Sequence, residues 1–289
     1  MTLSFRQLLD GDDLIIAPGA YDAITARAVE RAGFPMVHMT GAGVAASRGY
    51  PDYGLLTMTE MVDSATILAR SVSVPVLADA DTGYGNELNV TRTVREYESR
   101  GVAGIHLEDQ VSPKRCGHLA GKQVVQADRF TSLIAAAVEA RSSEDFIIVA
   151  RSDAASVNGL DDAVARVNAA LAVGADVAFV ESPGSAEAVA AVPSQVHGPC
   201  LVNVAPGGAA PIDDMARIAE LGYRMALCPG LLLGSGAQLA ERLLDELAST
   251  GVHPRGDEIP LTELYARLGA AEWDTIRARF ADGTANGSD

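Results

Sequence analysis

A cysteine with basic neighbours stands in the segment Lys114-Arg115-Cys116-Gly117-His118, shortly after an apolar stretch that ends in Glu108 and Asp109. Cysteine is scarce, since the 289 residues include only three. Positive charge beside a thiol favours the thiolate, which is the reactive form of cysteine. The segment therefore predicts a thiol that takes part in proton transfer, and the alternative is a surface loop with an incidental cysteine.

Three carboxylates follow two neighbouring apolar stretches. Asp79 and Asp81 are two residues apart, so both side chains can point the same way, and Glu108 closes the next stretch. Carboxylates on adjacent strand ends repel one another unless a cation joins them, and a few protein oxygens completed by water are typical of Mg²⁺. We therefore expect Asp79, Asp81 and Glu108 to bind Mg²⁺. The sequence does not separate Mg²⁺ from Mn²⁺, and two solvated aspartates before a turn are the non-functional alternative.

Short apolar runs recur along the chain, and a longer amphipathic stretch follows most of them. Eight runs are predicted to be strands, at Leu14–Ala17, Met36–Thr40, Pro75–Asp79, Gly104–Glu108, Phe146–Arg151, Val177–Glu181, Cys200–Val204 and Arg224–Pro229. Helices are predicted at Ala23–Ala32, Met58–Arg70, Val90–Arg100, Arg129–Ala140, Leu160–Val173 and Met215–Leu221. This alternation predicts a closed parallel (β/α)8 barrel of the TIM type, with functional side chains at the C-terminal strand ends. An open doubly wound sheet is the alternative, although no Gly-x-Gly-x-x-Gly turn opens a first helix.

Two further helical segments follow the barrel pattern. A predicted helix at Gly234–Ser249 is followed by a link with proline and glycine, and then by an amphipathic segment at Leu261–Phe280. The last segment is one helix more than a barrel needs. We expect residues 1–281 to form one domain and residues 282–289, which are small and polar, to be disordered.

Composition limits the partners. A formal net charge of −16 argues against nucleic acid, because a phosphate backbone has to be met by clustered Lys and Arg. No apolar stretch approaches the roughly 18 residues of a membrane span, and Met1 to Asp10 lack the pattern of a secretory signal. Cys116, Cys200 and Cys228 show no paired spacing, which is typical of a reducing compartment, so the cytoplasm is the expected location.

Several motifs together resemble the isocitrate lyase/phosphoenolpyruvate mutase superfamily. They are Ala17–Ala23, Asp79-Ala80-Asp81-Thr82-Gly83-Tyr84-Gly85-Asn86, Glu108–His118, Ala150–Ala154 and Val202-Asn203. The resemblance covers most of the chain and is greatest to the branch of 2-methylisocitrate lyase, dimethylmalate lyase, oxaloacetate hydrolase and carboxyphosphonoenolpyruvate mutase. It implies a TIM-type barrel whose terminal helices are exchanged between neighbouring subunits, in a homotetramer built from two dimers.

The resemblance also implies roles for individual residues. It places the backbone of Thr40, Gly41 and Ala42 around a substrate carboxylate, makes Asp81 the direct metal ligand and brings Asp52 close to metal and substrate. Gly117 and His118 would contact the substrate in the same way. From its chemistry alone, Arg151 is the natural bidentate partner of a carboxylate, with a salt bridge to Asp153 or Glu181 as the structural alternative.

Three more polar residues finish other predicted strands or their loops. Tyr21, Glu181 and Asn203 are expected to complete the hydrogen bonds around the substrate, the alternative being that they stabilise the barrel rim. His38 and His106 lie inside predicted strands and are expected to be core residues or to lie behind the site. Cys200 and Cys228 are expected to belong to the core.

The resemblance implies a Mg²⁺-dependent carbon–carbon lyase that acts on a small anionic 2-hydroxy carboxylate through an enolate. Cys116 would protonate the departing carbanion, and residues 114–122 would close over the substrate. A phosphonomutase of the carboxyphosphonoenolpyruvate mutase type is the second hypothesis, and a barrel that only binds a ligand is the third. After Asn203 the chain reads Val204-Ala205-Pro206-Gly207-Gly208, without hydroxyl residues for a distal carboxylate, which disfavours a large tricarboxylate.

Overall fold

Eight parallel strands close into a barrel in the computed structural model, which describes residues 2–117, 119–205, 211–255 and 258–281. The order is β1 to β8, and β8 pairs with β1. The strands are β1 Ile15–Ala20, β2 Val37–Met39, β3 Val76–Asp79, β4 Gly104–Glu108, β5 Ile147–Ser152, β6 Val177–Val180, β7 Cys200–Asn203 and β8 Met225–Cys228. The TIM-type barrel expected from the sequence is confirmed.

Successive side chains of each strand point alternately into the barrel and towards the surrounding helices. Leu77, Ile147 and Phe179 belong to one fully buried cluster, whereas their neighbours belong to clusters shared with the surrounding helices. Phe5 joins the first cluster from the first helix and lies close to Gly104, where β4 begins. The barrel is therefore a packed core that is closed at the N-terminal ends of its strands, and only the opposite end is left for chemistry.

Helices surround the barrel and extend the chain beyond it. Within the described residues they are α1 Phe5–Asp10, α2 Ala23–Arg31, α3 Gly41–Ser47, α4 Met58–Ser71, α5 Glu87–Ser99, α6 Ala127–Ala140, α7 Leu160–Ala172, α8 Ala186–Gln195, α9 Met215–Glu220, α10 Leu231–Thr250, α11 Leu261–Arg267 and α12 Ala270–Ala281. Polar N-caps fix where several begin, since Asp22, Thr57 and Asn86 accept backbone N–H groups of α2, α4 and α5. A cap of this kind is worth about 1 kcal/mol.

Three local expectations differ from the structure. The first strand runs on to Ala20 through Pro18 and Gly19, residues that usually end strands. Gly19 is needed there because a side chain would overlap the backbone of Pro229. Residues 41–43 form the first turn of α3, with Thr40 as its N-cap, and not an open glycine-rich turn. The segment Leu261–Phe280 is broken into α11 and α12 at Gly269, whose φ of 87° suits glycine.

The chain divides into two compact units, Met1–Gly236 and Ala237–Asp289. The first contains the barrel. The second exposes large apolar side chains, among them Trp273, which is 70% exposed, and Phe280, which is 69% exposed. The expectation of one domain over 1–281 stays a prediction, and the expected disordered tail, 282–289, lies outside the described residues. Among the described helices, none is both long and apolar enough to cross a membrane.

Candidate active site

A cavity of about 170 Å³ opens at the C-terminal ends of the strands. This is the end of a TIM barrel at which active sites are built. Nine of the residues singled out in the sequence line it, namely Thr40, Ala42, Asp52, Asp79, Cys116, Gly117, Arg151, Glu181 and Asn203. His38, His106 and Phe179 also line it, together with Ala205, Leu227, Pro229, Gly230 and Leu233. One wall is therefore polar and charged, and another is apolar.

The aspartates of the predicted metal site surround a buried lysine. Lys114 Nζ lies 2.5 Å from Asp52 Oδ1 and 3.0 Å from Asp81 Oδ1. The backbone of Asp81 has left the strand, at φ 47°, and its N–H donates to Asp79 Oδ1 over 2.9 Å. Asp79 therefore reaches the cavity whereas Asp81 faces Lys114 beside it. Two residues of spacing do not give two parallel side chains here, because the strand ends at Asp79.

The two carboxyl groups respond differently to burial. Burial, together with the charges of Asp79 and Asp52, raises the pKa of the Asp81 carboxyl to about 6 against the opposing effect of Lys114. Burial would also raise the pKa of Asp79, but His106, Lys114 and Arg151 together hold it below its usual range. Asp79 is therefore an anion at neutral pH, and Asp81 is a group that a nearby cation would readily ionise.

Glu108 is fully buried at the end of β4, behind the cavity wall. Its Oε1 makes no hydrogen bond within the described residues, and its Oε2 lies 3.2 Å from Arg151 Nη1. Burial raises the pKa of this carboxyl well above its usual value, against the charges of Arg151 and Lys114. An acceptor oxygen without a donor is a costly group to bury. Its environment fits a site that is completed by a cation or by water.

The chemistry of these donors fits Mg²⁺ better than a metal held by protein alone. Across the part of the chain that the structure describes, no three His, Cys, Asp or Glu side chains converge tightly enough to enclose an ion. Mg²⁺ does not need such a cage, because it usually keeps several waters and takes one or two carboxylates. Asp81 and Asp79 offer hard oxygen atoms, and Glu108 offers a buried acceptor that a bound water can satisfy.

Arg151 lies one residue before the end of β5, among three acidic groups, Asp153, Glu108 and Glu181. Its Nε and Nη2 donate to the two oxygens of Asp153 over 2.9 and 3.2 Å, and its Nη2 lies 3.8 Å from Glu181 Oε2. Burial lowers the pKa of the guanidinium, but Asp153, Glu108 and Glu181 outweigh it and raise that pKa well above normal. The salt bridges considered from the sequence are thus present, and Arg151 also lines the cavity.

A loop formed by residues 110–117 and 119–124, called the lid below because residues 114–122 were expected to close over the substrate, brings Cys116 to the cavity. Gln110 begins it, and its side-chain amide binds both backbone groups of Arg115 over 2.8 and 3.0 Å. The returning segment pairs with the outgoing one through an antiparallel bridge between Gln110 and Val124. The N–H of Cys116 donates to the carbonyl of Asp52 over 3.0 Å. The thiol therefore lies on an irregular segment, and the hydrogen bond from Cys116 to Asp52 holds this segment against the barrel.

Gly117 brings the lid close to the barrel, where it packs against Arg151 and Glu181. A Cβ at this position would lie 2.6 Å from Arg151 Nη2 and 2.8 Å from Glu181 Cγ, so only glycine fits. Its neighbour His118, expected to bind substrate, lies outside the described residues. On the far wall, Glu181 accepts from Ser182 Oγ over 2.7 Å and from Asn203 Nδ2 over 3.2 Å. These bonds fix the Glu181 carboxylate beside Gly117.

Two expected substrate contacts do not line the cavity. Tyr21 is half-buried, and its Cβ would meet a side chain added at Gly43 of α3, so it supports that helix. Gly41 is fully buried, and a Cβ there would overlap Asp79 Oδ2. Gly41 therefore allows Asp79 to approach the beginning of α3. Asp81 and Glu108 likewise lie behind the cavity surface.

A pair of buried histidines lines the cavity instead of belonging only to the core. His38 Nε2 and His106 Nε2 are 3.1 Å apart, and His106 Nδ1 lies 3.8 Å from Asp79 Oδ1. Burial is the largest cause that lowers the pKa of His38 to about 3 and that of His106 to about 4, so both rings are neutral. A sequence signal was available, because each histidine stands two residues before a site residue, Thr40 or Glu108, and so shares its strand face.

Comparisons with known proteins agree with this geometry. The family model described as phosphoenolpyruvate phosphomutase matches residues 5–248. The 2,3-dimethylmalate lyase of Eubacterium barkeri is 47% identical over 225 residues, which cover 78% of this chain and 78% of that protein. The chloroplastic carboxyvinyl-carboxyphosphonate phosphorylmutase of Arabidopsis thaliana is 37% identical, over 96% of this chain and 84% of that protein.

Solved structures extend the likeness to three dimensions. A crystal structure of 2,3-dimethylmalate lyase, a member of the PEP mutase/isocitrate lyase superfamily, superposes with a TM-score of 0.91 at 38% identity, covering 98% of this chain and 96% of that one. A phosphonopyruvate hydrolase in complex with oxalate and Mg²⁺ superposes with a TM-score of 0.87 at 27% identity, covering 96% and 97%.

Proposed function

The chain belongs to the isocitrate lyase/phosphoenolpyruvate mutase superfamily, and on that basis we propose that it is a Mg²⁺-dependent carbon–carbon lyase that cleaves a 2-hydroxy carboxylate. The products are a 2-oxo acid and a second carboxylate. The observation that carries the proposal is the convergence of Cys116, Arg151 and the carboxylates Asp52, Asp79 and Glu181 on one small cavity. Such a cavity suits a small anion and excludes water from a reactive carbanion.

Substrate binding is the task of Arg151 and the beginning of α3. Arg151 offers N–H groups to a carboxylate, while Asp153 fixes the plane of the guanidinium by a bidentate contact. The first N–H groups of a helix have no acceptor within the helix, so that of Ala42, which lines the cavity, is available to a second oxygen. The molecule as a whole is acidic, so these local donors attract the substrate.

Bond cleavage needs one proton to leave and one to arrive. The 2-hydroxyl loses its proton as its C–O bond becomes a carbonyl, and the electron pair of the broken C–C bond passes to the departing carbon. Asp52 and Glu181 line the cavity and are the carboxylates outside the proposed metal site that can take the first proton. Cys116 supplies the second proton to the departing carbon, in the role of general acid.

The metal would be held by Asp81 directly, with Asp79 and Glu108 binding it through water, and Mn²⁺ could replace Mg²⁺ with the same ligands. The buried Glu108 oxygen without a hydrogen bond supports this assignment, as does the Mg²⁺ in the complex of the phosphonopyruvate hydrolase. When bound, the cation supplies electrophilic stabilisation to oxygen atoms that gain negative charge.

A phosphonomutase that forms a C–P bond is the weaker reading. The lyase relative is 47% identical and the mutase relative 37% identical, so the balance favours cleavage of a carbon–carbon bond. Ala205, which lines the cavity, and its neighbour Val204 offer no hydroxyl groups, which favours a dicarboxylate over a tricarboxylate. The substrate contact expected of His118 stays a prediction.

The test is a product screen. Purified protein with Mg²⁺ is offered 2-hydroxy di- and tricarboxylates while 2-oxo acids and oxalate are measured, and phosphonate substrates are followed in parallel by ³¹P NMR. We expect stoichiometric release of a 2-oxo acid and a second carboxylate from a small dicarboxylate. A new C–P resonance without cleavage of any hydroxy acid would select the mutase, and stoichiometric binding without turnover would select a ligand-binding barrel.

Assembly and location complete the proposal. The apolar side chains exposed on the second unit, Trp273 and Phe280 among them, support burial against a neighbouring subunit, in a homotetramer formed by two dimers. None of the three cysteines forms a disulfide, which supports the reducing cytoplasm. Neither nucleic acid nor a membrane is a proposed partner.

A further inference from the structure

The chain has only two lysines, Lys114 and Lys122, and both lie on the lid with buried side chains. Lys114 meets the aspartates of the proposed metal site. Lys122 stands on the returning segment of the lid and reaches a different part of the barrel rim. Its Nζ lies 2.6 Å from the carbonyl oxygen of Gly117 and 2.9 Å from Asp153 Oδ1.

Asp153 connects this lysine to the guanidinium of the cavity. Its Oδ1 accepts from Lys122 and from Arg151 Nη2, and its Oδ2 accepts from Arg151 Nε. The backbone N–H of Asp153 donates a hydrogen bond to Asp109 Oδ1 over 2.8 Å. One fully buried carboxylate is therefore fixed in place and shared between a residue of the lid and the proposed substrate-binding arginine.

The base of the lid is held separately. Arg166 on α7 contacts Asp109 Oδ2 over 3.3 Å and donates to the carbonyl of Val125 over 2.7 Å, just beyond the end of the lid. These contacts do not depend on where residues 111–121 lie. The contact of Lys122 with the Gly117 carbonyl does depend on it, because that carbonyl belongs to the tip of the lid, next to Cys116.

A buried ammonium is stable only with partners. Desolvation costs several kcal/mol per ion unless an opposite charge and hydrogen bonds compensate for it. Lys122 has both in the closed lid, where Asp153 supplies the charge and Gly117 the carbonyl. If the tip moves away, the ammonium loses one partner and gains water. The contact therefore exists only in the closed arrangement, and it favours that arrangement.

We propose that Lys122 is a positioning residue that couples closure of the lid over Cys116 to the orientation of Arg151, through the Gly117 carbonyl and Asp153. The proposal rests on the lyase function proposed above. Closing the lid adds a second cation to Asp153, and Asp153 in turn fixes Arg151 for the substrate carboxylate. By reciprocity, a carboxylate that binds Arg151 favours the closed lid.

Amine labelling gives a direct measurement, because only two lysines and the amino terminus react. The intact protein is treated with an acetylating reagent and, separately, with iodoacetamide, with and without oxalate plus Mg²⁺, and labelling is read by mass spectrometry. We expect oxalate with Mg²⁺ to protect both Lys122 and Cys116 in the parent protein. In Lys122→Met, the concentration of oxalate that half-protects Cys116 should rise about 10-fold, within the usual 5- to 150-fold range of coupling between sites.

The controls separate positioning from structure. Lys122→Arg keeps the charge and should restore most of the protection, whereas Lys122→Gln, which keeps much of the shape, should behave like Lys122→Met. Arg115→Met removes one positive charge from an exposed side chain of the same lid and should leave protection as in the parent. If Lys122→Met proves unstable, Lys122→Gln provides the same comparison, and circular dichroism checks the fold of each variant.

Each outcome has a distinct meaning. Equal protection of Cys116 in the parent, Lys122→Met and Lys122→Gln would overturn the proposed role of Lys122 and leave the lyase proposal intact. If Arg115→Met lost as much protection of Cys116 as Lys122→Met, the effect would be one of net charge, and the proposed role of Lys122 would also be overturned. A parent protein that releases products in the screen but is not protected by oxalate would refute the coupling alone. A parent that shows neither turnover nor protection would remove the lyase function as well.

Discussion

Lys114 and Asp52 form a buried ion pair, with Nζ 2.5 Å from Oδ1. The lysine belongs to the lid, and the aspartate follows the short helix α3. The same ammonium lies 3.0 Å from Asp81 Oδ1, so one positive charge is shared by two carboxylates on different loops. A divalent cation beside Asp81 would also neutralise these carboxylates. Lys114 and the metal would therefore make partly interchangeable contributions to the free energy of unfolding.

Replacing Lys114 by Met should make stability depend on the metal. The loss of one partner of a buried ion pair costs about 3 kcal/mol or more, because Asp52 and Asp81 are left uncompensated. We expect the free energy of unfolding, measured by urea titration in chelator, to fall by that amount and to recover in part with Mg²⁺. An equal loss with and without Mg²⁺ would place the cation away from Lys114.

Replacing Asp81 by Ala should abolish turnover and leave the barrel folded. Asp81 is the proposed direct ligand, and alanine offers no oxygen atom to the cation. Exhaustive chelation of the parent protein should have the same effect and should be reversed by Mg²⁺. Asp63→Ala, on the exposed face of α4, is the control and should retain activity. Full activity of the chelated parent would contradict the metal site.

Cys116 should be the cysteine that alkylating reagents modify first. Burial raises the pKa of Cys200 to about 12 and also raises the pKa of Cys228, so both thiols stay protonated and react slowly. Cys116→Ser should lower kcat about 10²-fold or more, as expected for a missing general acid, with little change in oxalate affinity. Cys228→Ser is the matched control. Retention of more than about a tenth of the parental kcat would rule out the proton-donor role.

Gly117→Ala should prevent complete closure of the lid. The added methyl carbon would lie 2.6 Å from Arg151 Nη2 and 2.8 Å from Glu181 Cγ. We expect a large rise in KM and faster alkylation of Cys116 in the presence of oxalate with Mg²⁺. Gly234→Ala is the control, since a methyl group there meets open space. Unchanged kinetics for Gly117→Ala would mean that the lid closes differently.

The buried histidines should contribute to the pH dependence of stability. The pKa of His38 falls from 6.5 to about 3 on folding, so at acidic pH the unfolded chain binds a proton that the native protein does not. This contribution is present above pH 6.5 and is lost as the pH falls. The free energy of unfolding should therefore decrease by about 1.4 kcal/mol more per pH unit in the parent than in His38→Gln, between about pH 5.5 and 4.5. His197→Gln, an exposed histidine, should leave the slope unchanged.

Strand-end residues were predictable because topology alone brings them together. Asp79, Glu108 and Asn203 each end a strand of the barrel and Arg151 lies one residue before the end of β5, so recognising the strands was enough to place them at one end. The lid was not predictable in this way. Its conformation depends on side-chain contacts, such as Gln110 with Arg115 and Lys122 with Asp153, that leave no periodic signal in the sequence.

Two errors of detail have a common cause. The alternation of a strand was extended from Asp79 to Asp81, but the backbone turns into the left-handed region at Asp81. Thr40 was expected to end the second strand, but it is the N-cap of α3. In both places the chain changes its geometry within one residue, just where a barrel strand meets its loop, and propensities averaged over several residues do not resolve such a change.

The small volume under the closed lid has a kinetic consequence. Two fragments of a cleaved substrate have to share about 170 Å³, and the lid and the apolar wall leave them little room to separate. We expect the fragments to leave when the lid moves, so that the exit of products and the motion of the lid are one event. The turnover number would then report a diffusive motion of the chain, and it would decrease as the solvent is made more viscous.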